Sequence, residues 1–166
     1  MTMQTGAAAG AANKSAPALD GLAALVVKEG VALGGLNEDT RQQVLGLVWA
    51  GLPAEPTAEP AVNVALKQQL AGAARCLATD HVELRRWLCD AGWLRRDGWG
   101  RVYSRARRDE LPAAREVLAA ALAQAFGDAG PAAWVERLCA ERRAARQARR
   151  QAHEATRNPA TAGAAP

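Results

Sequence analysis

The chain has 166 residues, a formal net charge of +4, 49% hydrophobic residues and three cysteines. That length accommodates one modest core with appended helices and leaves no room for a second full domain. An odd number of cysteines (Cys76, Cys89 and Cys139) at long, irregular spacing excludes a secreted disulfide framework and fits a reducing cytoplasm. No stretch approaches the roughly 20 apolar residues that a bilayer span needs, and the small, polar N-terminus lacks the apolar region of a signal peptide, so a cytoplasmic protein is expected.

Residues 1–18 carry almost no large apolar side chain and are expected to be a disordered tail. Leu19, Leu22, Ala23 and Val26 then recur at helical spacing, which predicts a helical segment over 19–36 with its helix ending near Gly30. Asn37 is a predicted N-cap, with Glu38 and Asp39 in the first turn, where carboxylates meet the positive end of the helix dipole. Leu45, Val48, Trp49 and Leu52 form one apolar stripe before Gly51 and Pro53 stop that helix.

Pro53, Pro56 and Pro60 mark a connecting loop, and Pro60 suits the first turn of a second helix reaching about Cys76, with Val62, Leu66, Leu70 and Ala73 on its inner face. Asp80 opens a third helix, with Glu83 placed for a capping box, Leu84, Trp87, Leu88 and Ala91 on one face, and Gly92 as its stop. Asp97-Gly98 between two short β-preferring, basic segments predicts a hairpin. Three helices followed by a hairpin is the order of a winged helix-turn-helix, so 37–105 is expected to be such a core.

Asp109 is placed to cap a packing helix over 109–127, with Leu111, Val117, Leu118, Leu122 and Phe126 as its apolar face. Gly130-Pro131 restarts a basic C-terminal helix over 130–157, anchored by Trp134, Val135 and Leu138 and without a large apolar residue after Cys139. Residues 158–166 are expected to be a second disordered tail. The fold class read from this order is mainly α, with additional N- and C-terminal helices around a winged-helix-like core.

The charge is not spread evenly. Residues 80–108 hold eight basic and four acidic side chains and so carry the whole surplus, while Arg137 to Arg150 forms a second basic run. Arg85 and Arg86 lie in the helix that a helix-turn-helix places in the major groove, where guanidinium groups contact phosphate or guanine. Arg86 falls on the far face; Arg85 sits at the margin, where an ion pair with Asp90 or Glu59 is the competing role. Arg95, Arg96, Arg101 and Arg105 alternate along the hairpin, several of them on one side as a phosphate-binding surface requires. A solvated basic edge is the alternative. Trp99 at the hairpin tip either stacks on a base or folds back onto the third helix, and the second is expected. Arg142, Arg143, Arg146, Arg149 and Arg150 could track a phosphate backbone or simply be a solvated Ala/Arg helix.

From Glu59 to Tyr103 the residues resemble a known bacterial family, the domain of unknown function 2087. The pattern is carried by Glu59, Val62, Asn63 and Leu66, then by Asp80, Leu84, Arg85, Arg86, Leu88, Asp90, Gly92, Leu94, Arg96, Gly100 and Tyr103, within the string DHVELRRWLCDAGWLRRDGWGRVYSR. The resemblance implies a winged-helix-like fold, found alone and in proteins resembling transcriptional regulators. It implies no activity.

Cys76, His81 and Cys89 lack the paired spacing of a metal site, and no nucleophile, base and orienting acid can be nominated together. No cofactor, metal or enzymatic activity is therefore expected. The expected function is nucleic-acid binding, DNA before RNA, by a regulatory protein. The alternatives are a protein-interaction or homodimerisation module using Trp99 and the Leu111 to Phe126 face, and an RNA binder acting through the arginine-rich C-terminal helix. A membrane partner is not expected.

Overall fold

The computed structural model describes residues 19–157; the two tails expected at 1–18 and 158–166 lie outside the described residues. Among these residues are six α-helices, α1 (Asp20–Val26), α2 (Glu38–Ala50), α3 (Glu59–Ala71), α4 (His81–Asp90), α5 (Ala113–Phe126) and α6 (Gly130–Arg157), with short strands β1 (Thr57–Ala58), β2 (Leu94–Arg96) and β3 (Val102–Arg105). The fold is mainly helical with one three-stranded antiparallel sheet, ordered β1-β3-β2.

α2 starts where its capping chemistry dictates: the Asn37 carboxamide accepts from the Thr40 amide at 2.8 Å. The single apolar stripe expected for this helix understates its burial. Val44 to Trp49 are buried without a break, because α1, α4, α5 and α6 all pack on α2. The second half of α2 is thus apolar all round, the signature of a central element, while its first half, Glu38 to Gln43, is polar. Gly46 lets α5 approach closely, since an added methyl there would stand 2.6 Å from Leu122 Cδ1 and 3.2 Å from Trp93 Cη2.

Trp93 is fully buried, with its ring 5.2 Å from that of Trp49. Both indole N–H groups are satisfied, Trp93 donating to Gln42 Oε1 at 2.7 Å and Trp49 to the Ala106 carbonyl at 2.9 Å. One apolar cluster runs from Leu22 on α1 to Cys139 on α6, so the flanking helices share the core of residues 37–105. The Leu118, Leu122 and Phe126 face of α5 is spent inside the chain, against α2 and α6.

Three boundaries differ from the sequence reading. α1 ends at Val26 and α3 at Ala71, short of Gly30 and Cys76: the chain leaves α3 at Gly72 (φ −117°, ψ −106°), runs through turns after both helices, and then pairs Val31 with Leu77 as a parallel bridge. Val31 donates to the Cys76 carbonyl and Ala78 to the Val31 carbonyl, each at 2.8 Å. α5 begins at Ala113 and not at Asp109: Pro112 holds Leu111 extended (φ −79°, ψ 146°), and Asp109 sits in a separate 3-10 turn. β1 was not expected at all. Its two residues lie in the proline-rich connection and exist as a strand only through pairing with Tyr103 and Val102.

Candidate nucleic-acid interface

α4 begins at Asp80, whose carboxylate accepts from the amides of Val82 and Glu83, both at 2.8 Å. Those amide hydrogen bonds, Glu83 first, hold the Asp80 carboxyl below its usual range. The expected reciprocal capping box is not formed: the Glu83 carboxylate instead accepts from the Thr79 hydroxyl at 2.8 Å. Leu84 and Leu88 are fully buried one turn apart, while Trp87 is only partly covered. This phase decides the fates of the two adjacent arginines.

Arg85, with its side chain 16% exposed, is turned inward. Its Nη1 donates to Glu59 Oε1 at 2.5 Å and Asn63 Oδ1 at 2.6 Å, and the guanidinium lies 5.1 Å from the centre of the Tyr103 ring. It fastens α3 and β3 to α4. Arg86, at 83%, points to solvent and, among the described residues, pairs only with Asp90, at 3.7 Å on its own helix. A pair that exposed holds the guanidinium weakly.

After α4, Gly92 takes a left-handed conformation (φ 71°) that turns the chain into β2, and the Arg115 guanidinium closes over it. Pairing of Leu94 with Arg105, Arg95 with Ser104 and Arg96 with Tyr103 assigns the faces, because directly opposed residues of an antiparallel pair share a side. Leu94, Arg96, Tyr103 and Arg105 therefore share the core side, and Arg95 lies on the outer one. The hairpin arginines thus alternate, Arg96 and Arg105 sharing one side and Arg95 taking the other. Arg95 bonds Glu110 at 2.7 Å across the outer side. Glu110 also accepts from the Arg107 amide at 3.0 Å, and that bond, before its charge partners, lowers its carboxyl below the usual range.

Arg105 is likewise occupied. Its guanidinium covers the Trp49 ring at 4.8 Å and reaches the Ala50 and Leu52 carbonyls at the end of α2, 3.4 Å each; burial lowers its pKa. Arg96 and Arg101 are exposed and, among the described residues, have no ion pair. The loop between the strands is wider than a two-residue Asp-Gly turn. Asp97 and Val102 close it, with the Arg101 amide donating to Asp97 Oδ1 at 2.8 Å and Gly100 at φ 68°. Trp99 at its tip is 85% exposed. The expected return of this ring onto the third helix does not occur, since the wide loop carries it away from the core.

α4 and β2 bound an open groove of about 840 Å³ whose wall includes Arg85, Arg86, Arg95, Arg96 and Arg115 against the carboxylates of Asp90 and Glu110. Arg115, thirty positions from Arg85 in the chain and brought in by α5, was not singled out from the sequence, where nothing local marks it. Arg142, Arg143 and Arg146 belong elsewhere. They are exposed on α6 and line a separate cleft of about 390 Å³ with Lys28 and Arg75.

Residues 36–105 match the bacterial family DUF2087, described as "Uncharacterized protein conserved in bacteria". The resemblance is confined to this segment, which is less than half of the chain. The DUF2087 match runs from the turn before α2 to the end of β3, beginning well before the Glu59 start of the motif, and so takes in the helix on which the rest of the core is built. Comparison with curated proteins and with solved structures gave no match. No helix among the described residues is long and apolar enough to cross a membrane.

Proposed function

We propose that residues 36–105 form a winged helix-turn-helix module that binds duplex DNA, with α4 presented to the major groove and the β2–β3 hairpin laid on the phosphate backbone. The topology supports this reading: helix, strand, two helices and a hairpin, with the lone strand β1 completing the sheet beside β3. The observation that carries it is the groove between α4 and β2, on whose wall Arg86 and Arg96 are exposed and free of any buried partner, within a lining of five guanidinium groups and two carboxylates. A concave surface with a surplus of positive charge concentrates polyanions.

The contact set is narrower than the sequence implied. Arg86, Arg96 and Arg101 are exposed and available, and so is Trp99 at the hairpin tip; Arg85 and Arg105 act as internal ties, and Arg95 reaches phosphate only by leaving Glu110. Binding, and not catalysis, is the role, in a cytoplasmic protein with regulation of transcription as the natural use. The test is a fluorescence-polarisation titration of random duplex DNA, single-stranded DNA and structured RNA at two salt concentrations. Duplex binding should weaken steeply with salt through counterion release. The combined variant Arg86→Ala, Arg96→Ala, Arg101→Ala should lose affinity while keeping its unfolding temperature, and an unchanged affinity refutes the assignment.

A protein-interaction module is the second reading, favoured by one observation, the exposure of Trp99. Light scattering separates the two, because a self-associating module would be oligomeric yet indifferent to polyanions.

A further inference from the structure

α6 continues as a helix to Arg157, yet from Ala140 onward every residue is exposed, so eighteen residues of helix project past the core with no packing partner among the described residues. Such a segment draws nothing from tertiary burial, which is the usual source of helix stability. Its six arginines, Arg142, Arg143, Arg146, Arg149, Arg150 and Arg157, are not scattered. At about 100° per residue they fall within an arc of about 120°.

Val135 and Cys139, both buried, lie in that same arc, so the basic stripe extends the body-facing side of α6 beyond the point where the body ends. There Lys28, just past α1, and Arg75, after α3, add two further cations around the cleft that Arg142, Arg143 and Arg146 line, against the single carboxylate of Glu29 in its wall. Glu141 falls on the opposite side of the helix and Glu154 at the margin of the stripe. Among the described residues none of the six arginines has an ion pair, whereas Arg75 is paired with Glu136 at 2.6 Å. Several are spaced three or four apart, Arg142 with Arg146 and Arg146 with Arg150 among them, and like charges at that spacing oppose the helix they sit on.

We propose that the projecting half of α6 is a second, independent polyanion-binding surface whose occupant is the phosphate backbone of duplex DNA, so that the protein is bivalent. The charge spacing supports this occupant. Arg142 to Arg157 spans about 22 Å at ~1.5 Å per residue, and one DNA strand presents six or seven phosphates in about that length at ~3.4 Å each. Ala140 to Arg157 contains no Phe, Tyr or Trp, so it lacks the stacking platforms by which single strands are held. Phosphate contacts of this kind position a duplex without reading its sequence. Neutralising the stripe also removes the repulsion within it, so binding should make the projecting helix more ordered.

The inference does not rest on the α4 groove, and its test separates the two. The full chain carrying Arg142→Gln, Arg146→Gln, Arg149→Gln and Arg150→Gln keeps good helix formers at each position, and circular dichroism checks that the helix persists. Titrated against a random duplex of about 24 base pairs, chosen to exceed the span of the stripe, the variant should bind at least tenfold more weakly at low salt. The slope of log affinity against log salt should fall by about 3.6 if all four contact phosphate, given ~0.9 per contact. The variant Arg86→Ala, Arg96→Ala, Arg101→Ala should retain that share of the slope. The proposal is overturned if the four-Gln variant matches the parent in affinity and slope, if the α4-hairpin variant alone abolishes all duplex binding, or if the Gln substitutions change only the oligomeric state.

Discussion

Arg85 and Arg86 are neighbours in the sequence with opposite assignments, and substituting each by alanine separates the roles. Arg85→Ala removes two charge-assisted hydrogen bonds, to Glu59 and Asn63, and the stacking on Tyr103. Hydrogen bonds to charged groups contribute about 1.5–3 kcal/mol each when well buried, and the cation–π contact about 0.5–1 kcal/mol. Glu59 is 40% exposed and can be re-solvated, which lowers the total. A loss of about 2–3 kcal/mol is the result, or roughly 6–9 °C in unfolding temperature for a chain of this size. Arg86→Ala should stay within about 0.5 kcal/mol, as surface changes do. Thermal unfolding followed by circular dichroism, run beside a duplex titration, reads both. Were Arg85→Ala to leave the unfolding temperature unchanged while abolishing DNA binding, the internal-tie assignment would be wrong. A cycle of Arg85→Ala with Glu59→Gln gives the coupling directly, and additivity within experimental error would count equally against it.

Gly46→Val should destabilise by about 3 kcal/mol in denaturant titration, because overpacking meets Leu122 and Trp93, both fully buried and without room to retreat; a neutral result would mean that α2 and α5 are not in close contact. The Asp80 and Glu110 carboxyls have folded pKa values below their ordinary 3.8 and 4.5. Their stabilisation is therefore complete above the ordinary values and is lost as pH falls through the lowered ones. Asp80→Ala should accordingly narrow the gap in unfolding temperature between pH 7 and strongly acidic pH, and an unaltered gap would refute the capping role. Trp99→Ala should leave stability within about 0.5 kcal/mol and remove the larger part of the acrylamide-quenchable fluorescence, leaving that of the half-covered Trp87, since Trp49, Trp93 and Trp134 are buried. A marked fall in stability would show that the ring packs somewhere.

Much of the candidate site was legible before the structure. The caps Asn37 and Asp80, the apolar step from Leu84 to Leu88 and the turn at Gly92 depend on residues within one or two helical turns, and the local pattern locates them. The extent of α3 was less legible, because the turns after Ala71 lead into a bridge between Val31 and Leu77 that joins distant segments. β1 carries no alternation to read, being two residues long, and Trp99 followed a width of loop that the Asp-Gly signal understated.

The position of the charge surplus, the order of helices and hairpin, and the basic helix after Cys139 were properties of the sequence alone, since each is a periodicity or a composition along the chain. Which guanidinium groups remain free was decided only by the tertiary structure. Arg85 is drawn to a carboxylate twenty-six positions away, Arg105 to the end of α2, and Arg95 and Arg96 to opposite sides by the pleat of a paired strand. Charge is inherited from composition, but its availability depends on what burial and pairing bring within a few ångströms.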